Sequence, residues 1–298
     1  MDPLIAAQIF AILTALGFAT GDTAIRLALR TSTPMTGTLT LALVTLLIFA
    51  PIAVATFPLK EIGVQGFLLF VAAGVASPGL AGTLFYMSLR RIGLSRSATI
   101  ASASPLITVI IAVTILGERP TFLVYFGTLL IMAGVISLAR EQRSAARSEA
   151  RGKSLWYYFI FAVLATLMFA AAAVLRKVGV GIISSLSMAL SLAAVGTLLV
   201  VAFWYPFLPP EDRIKISREN VWHFVANGVL ASLGHLAFFA ALQRGPLSVV
   251  APLVYMTPLF AMAFSWFLFR ELERLNLRLL AGALLICAGA ALVTMSRG

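Results

Sequence analysis

The sequence predicts an all-α integral membrane protein with ten transmembrane helices, built as two five-helix repeats of inverted topology. Three observations carry this: a composition unsuited to water, ten apolar stretches of bilayer length, and residues that recur at near-constant spacing between the two halves. Of 298 residues, 61% are hydrophobic and 11% charged, and mean hydropathy is +1.02, whereas soluble domains carry about 25% charged residues. The net charge of +11 does not form a nucleic-acid-binding face. Its Lys and Arg stand singly or in small groups between apolar stretches, which is a topology signal, so no nucleic acid is expected. The single Cys287 and two histidines exclude a disulfide framework and a zinc site on count, and neither metal nor cofactor is expected.

A bilayer core of about 30 Å takes roughly 20 apolar residues per helix. Such stretches lie at 4–25, 34–57, 64–89, 97–117, 121–139, 155–175, 180–205, 221–242, 246–269 and 275–295. The first follows Asp2 rather than a basic segment and has no convincing cleavage site, so it reads as a retained helix. The organisation is a first repeat over 1–139, a basic linker over 140–154 with Arg140, Arg143, Arg147, Arg151 and Lys153, and a second repeat over 155–297. The segment Pro209–Asn220 reads as a surface loop. Of the 22 Lys and Arg, 16 fall on the linker's side and 6 on the other, where Arg176 and Lys177 are counted. The positive-inside rule then places the linker in the cytoplasm and both termini outside.

The repeat is legible residue by residue. LRRIGLS (Leu89–Ser95) aligns with LQRGPLS (Leu242–Ser248), and at that offset Pro105 falls on Pro258 and Glu118 on Glu271. A two-residue insertion later, Gly127 and Gly134 fall on Gly282 and Gly289. Near the start, Ala11, Leu13, Phe18, Ala19 and Arg26 fall on Ala162, Leu164, Phe169, Ala170 and Lys177. Five spans per half is an odd number, so the halves cross the membrane in opposite senses. Such architectures place a site near the midplane, between the halves, and expose it to one side at a time.

The pattern of Leu89–Arg91, Pro105, Gly117–Glu118 and Gly127 with Gly134, repeated through Pro258, Glu271, Gly282 and Gly289, resembles the EamA-type repeat of the drug/metabolite transporter superfamily. The resemblance covers both halves and implies a ten-helix exporter of small metabolites in a bacterial inner membrane. Amino-acid exporters, including those for aromatic amino acids, form a prominent branch of that superfamily.

Polar groups and helix breakers near span centres are the candidate site residues, since both are costly in hydrocarbon. Pro78, Pro105 and Pro258 each remove a helical hydrogen bond and free a carbonyl, either for a solute or only to kink the helix for packing. With Ser102, Tyr255, Met256 and Thr257 they suit an ammonium or amide. Asn227, His235 and Phe238 share the eighth span. His235 reads either as a cavity group or as a histidine bonded to a neighbouring carbonyl. Phe18 and Phe169 correspond between halves and are candidates for an apolar cavity wall, or for lipid-facing and core positions. Tyr86 is a cavity candidate or an interfacial anchor. Asp22, Glu118 and Glu271 are candidates for coupling or gating; Asp22 lies four residues before Arg26, and a local ion pair is the simpler account. With Arg26 and Lys177 read as interfacial, no Lys or Arg is expected at a midplane, which disfavours phosphate esters.

These residues predict a carrier for a small neutral or zwitterionic solute, acting in the bilayer as a monomer or weak oligomer. An intramembrane enzyme would need a nucleophile with its base, paired carboxylates or a metal cluster, and the sequence offers none. A scaffold would have little need of broken helices. A cysteine at position 147 is expected to label only from the cytoplasmic side; labelling from outside intact cells would invert the topology.

Overall fold

Within a bilayer no water satisfies a stray backbone N–H or C=O, so an apolar chain crosses as helix. The computed structural model describes residues 2–29, 31–58, 62–92, 94–145, 159–268 and 277–296. Among them ten helices are long and apolar enough to span: Pro3–Ala28, Pro34–Thr56, Val64–Leu89, Arg96–Thr114, Phe122–Arg140, Phe159–Val180, Leu186–Phe207, Val221–Arg244, Leu247–Phe264 and Leu277–Met295. Glu271, Arg147 and the linker from residue 146 lie outside the described residues. The sixth span, predicted to end at residue 175, runs on to Val180. The basic pair at 176 and 177, which by charge marks a membrane surface, lies inside the helix.

The first span shows how composition becomes packing. Ala7, Ala11, Ala15 and Ala19 are fully buried, while Ile5, Ile9, Leu13 and Leu16 face outward. Small residues turn in and large ones turn out, because close helix approach, rather than exclusion of water, drives association in lipid. The sixth span repeats the pattern: Ala162, Thr166 and Ala170 are buried and Leu164 and Leu167 face outward, at positions matching Ala11, Ala15, Ala19, Leu13 and Leu16.

The halves interlock according to the repeat. The first span packs chiefly on the eighth, and the sixth on the later part of the third, which are equivalent pairings; the second packs on the seventh, the fourth on the ninth and the fifth on the tenth, each pairing its own equivalent. The fifth–tenth crossing gives the sense of the repeat. A Cβ at Gly127 would stand 2.6 Å from the Gly289 carbonyl oxygen, and one at Gly134 2.6 Å from that of Gly282. Contacts therefore run forward along one helix and backward along the other. Gly127 corresponds to Gly282 and Gly134 to Gly289, so exchanging the halves maps this antiparallel contact onto itself, as an inverted repeat requires.

Among the described residues three spans are interrupted. The third comprises Val64–Gly74 and Ala81–Ile92 around Ser77, whose backbone is extended at φ −154°, ψ 132°. The fourth divides into Leu94–Ala101 and Ser104–Thr114, and the ninth into Leu247–Val254 and Thr257–Leu268. The fourth and ninth are repeat equivalents broken at equivalent prolines, whereas the eighth, equivalent to the third, is continuous over Val221–Arg244.

Replacing Gly134 with Ala should lower thermal stability in detergent by about 1–3 kcal/mol, because the added methyl overpacks a backbone contact. Gly63→Ala is the control, since nothing lies within 4 Å of a Cβ there. Equal melting temperatures for the two variants would refute this account of the crossing.

Candidate functional site

The break in the third span starts from one residue. Pro78 has no N–H, so the Gly74 carbonyl loses its helical donor, and Ser77, preceding a proline, is driven to extended backbone. Two side chains of the second half repair the damage. Thr197 Oγ1 in the seventh span donates to the Gly74 oxygen at 3.1 Å, and the Arg176 guanidinium donates to the Ser77 oxygen. Arg176 is 6% exposed; its guanidinium carbon lies 5.8 Å from the ring centroids of both Phe238 and Phe239, and its Nε has no partner. Arg176, which the sequence places at a span end, thus reaches the interrupted middle of the third span. Lys177 is also engaged within the protein, its Nζ donating to the carbonyls of Leu242 at 2.7 Å and Gly245 at 2.8 Å. The signal for Arg176 was present in the sequence: it lies seven residues after Phe169, on the same helix face.

The ninth span closes its own break. Pro258 deprives the Val254 carbonyl of its donor, and Thr257 Oγ1 supplies one at 2.7 Å. Ser102, at the equivalent break, donates to the Thr99 carbonyl at 2.7 Å. These hydroxyls are thus used locally. The Tyr255 hydroxyl approaches Ser104 where the fourth and ninth spans cross, and Ser102, Ser104, Pro105 and Met256 are buried beside it.

A second group of side chains lies on the first, third, sixth and eighth spans. His235 is half-buried, its Nδ1 donates to the Ala231 carbonyl at 2.8 Å, and its ring lies 4.7 Å from that of Phe18. A neutral imidazole so tied keeps Nε2 as an acceptor. Phe85 of the third span bridges Phe169, at 6.5 Å between centroids, and Tyr86, at 6.4 Å. Asn227 is buried, with Oδ1 3.1 Å from where a Cβ on Gly21 would stand. Phe238 is buried against Phe239 and Arg176. Asp22 shares a helix face with Ala11, Ala15 and Phe18 and is exposed, with the Arg26 charge and the Tyr86 hydroxyl within electrostatic reach of its carboxylate.

The two ends of the bundle differ. At the end where the second and sixth spans begin and the third and seventh finish, a cavity of about 830 Å³ is open. Thr38, Thr83, Tyr86, Arg91, Trp204 and Asp212 are among its lining residues. The loop after the seventh span, expected to be an ordinary surface loop, is held at this rim: Lys215 N donates to Thr36 Oγ1 at 2.9 Å and Asn220 Nδ2 to Thr31 Oγ1 at 3.1 Å. At the opposite end Gly117, at φ +69°, turns the chain after the fourth span. Glu118 then crosses to the second half, its two carboxylate oxygens accepting from Leu247 N at 2.7 Å and Ser248 N at 2.8 Å. With Lys177 on the carbonyls of Leu242 and Gly245, the turn between the eighth and ninth spans is held from both sides.

Glu118→Ala should therefore lower stability by about 1–3 kcal/mol, the range for hydrogen bonds to a charged group, and Glu118→Gln should lose less because one acceptor oxygen remains. Detergent melting curves check this; an unchanged Ala variant would remove the clamp.

Known proteins agree with this architecture. The model of the EamA-like transporter family matches twice, over residues 5–140 and 156–295. The uncharacterised inner membrane transporter YhbE of Escherichia coli K12 is 26% identical over 241 residues, covering 78% of this chain and 73% of that protein. The YhbE of Shigella flexneri matches to the same extent. A solved structure described only as the crystal structure of a protein superposes with a TM-score of 0.78 over 98% of both chains at 15% identity, a likeness of fold. With a family match in each half, the chain belongs to the EamA-like transporter family and is a multi-pass membrane transporter of the drug/metabolite superfamily.

Proposed function

We propose that this transporter exports small metabolites, amino acids foremost and aromatic ones among them, by alternating access between its two repeats. The observation that carries the reading is the difference between the two ends: one opens into an 830 Å³ cavity, and at the other Glu118 bridges the halves. An inverted repeat can exchange those two arrangements, since each end is built from equivalent parts. With the linker side cytoplasmic, the cavity faces the cytoplasm, and this state is the one that loads solute for export. Membership of the inner membrane follows from the likeness to YhbE.

The partly exposed aromatic rings of Phe18, Phe85, Phe169 and Tyr86 offer an apolar surface, and His235 Nε2 offers an acceptor beside Phe18. That combination suits a solute with an apolar side chain and a few polar groups. Counterflow of radiolabelled amino acids, purines and organic cations by the purified chain in proteoliposomes tests the reading. Amino-acid exchange is expected, and its absence would reject it. His235→Ala should impair transport or shift substrate preference while folding survives, because an intramembrane hydrogen bond averages only about 0.6 kcal/mol. A folded variant with the parent's rate and affinity for every solute would make His235 structural.

A further inference from the structure

An arginine stays charged at any pH a cell reaches, and a charge within a bilayer calls for a counter-charge or a full set of hydrogen bonds. Arg176 has neither. Of its five N–H donors, one meets the neutral Ser77 carbonyl and Nε meets nothing. The rings of Phe238 and Phe239 attract the cation but do not neutralise it, and no carboxylate among the described residues is bonded to it. Arg176 is therefore a buried positive charge with unused donors, beside the one point where the third span is already extended.

Given the amino-acid reading above, on which this inference rests, the geometry points to Arg176 as the docking group for the solute's carboxylate. A carboxylate is planar and singly charged, and it matches the guanidinium fork with two parallel hydrogen bonds. A phosphate dianion would need a second cation, and neighbouring Lys177 is committed to Leu242 and Gly245. In this conformation the Ser77 oxygen holds a position that a carboxylate oxygen takes on binding; the extended backbone at Ser77 lets that carbonyl move without breaking a helical hydrogen bond. Phe169 lies seven residues before Arg176, about 10 Å along the same helix, so a solute held at Arg176 by its carboxylate presents its side chain to Phe169 and Phe85.

The test is competition in proteoliposomes containing the full chain. Counterflow of radiolabelled phenylalanine, or of whichever of the twenty amino acids exchanges faster, is competed with the unlabelled amino acid and with its own amide. The parent should bind the amide at least about tenfold more weakly than the acid. In Arg176→Gln the gap should shrink to about twofold or less, and Arg176→Lys, which keeps the charge but not the fork, should retain part of it. Should the Gln variant fail to fold, judged by monodispersity and melting, the parent and the Lys variant still decide. Amide and acid competing equally in the parent, or an undiminished gap in a folded Gln variant, overturns the role of Arg176 and leaves amino-acid transport standing. Failure of all twenty amino acids to exchange rejects the amino-acid reading, and this inference with it.

Discussion

The constraint on which the structure turns is that a proline inside a bilayer leaves a carbonyl with no water to satisfy it. Each break is therefore also a statement about its surroundings. At Pro258 the repair is local: Thr257, the preceding residue, reaches back one turn to Val254. At Pro78 it is remote, with Thr197 and Arg176 supplied from the second half. A locally repaired break can move with its own helix. A remotely repaired one ties the two repeats together at the point of interruption, so any relative movement of the halves changes its hydrogen bonding.

This explains why the halves match in packing but not in detail. Equivalent spans show equivalent buried faces, and the fifth and tenth cross through reciprocal glycines. Yet the third span is broken where the eighth is continuous, and Arg26, matched to Lys177, has beside it Ile25 where the second half has Arg176. Packing requires symmetry, because each interface either recurs in the other half or pairs a span with its own equivalent. A single solute needs only one set of polar contacts, so departures from symmetry are where selectivity belongs.

Much of the fold was legible in the sequence because membrane helices are specified by length and apolarity, and the repeat by spacing; ten stretches and the glycine pairs needed no tertiary information. The site was less so. Pro78, Pro105 and Pro258 announced their breaks, but not which side chains would repair them, since Thr197 lies 119 residues beyond Pro78 in the chain. Arg176 is not legible in this way, because a basic pair marks the end of a span as readily as it marks a buried site. The helix continues through it: Lys177 reaches carbonyls at the end of the eighth span, while Arg176 turns onto the face shared with Phe169. Position along the helix gave the wrong depth, where position around it would have given the right direction.

Arg176 and Lys177 are adjacent and both basic, and their different partners show how burial sorts function. Lys177 donates to two carbonyls at the end of the eighth span, where helix C-terminal oxygens are already partly negative. Its charge is thereby spent on structure. Arg176 meets a carbonyl in the middle of an interrupted span, with phenylalanine on two sides. One carbonyl dipole cannot balance a full charge in so apolar a setting, which leaves the interior of this half electrostatically unsaturated.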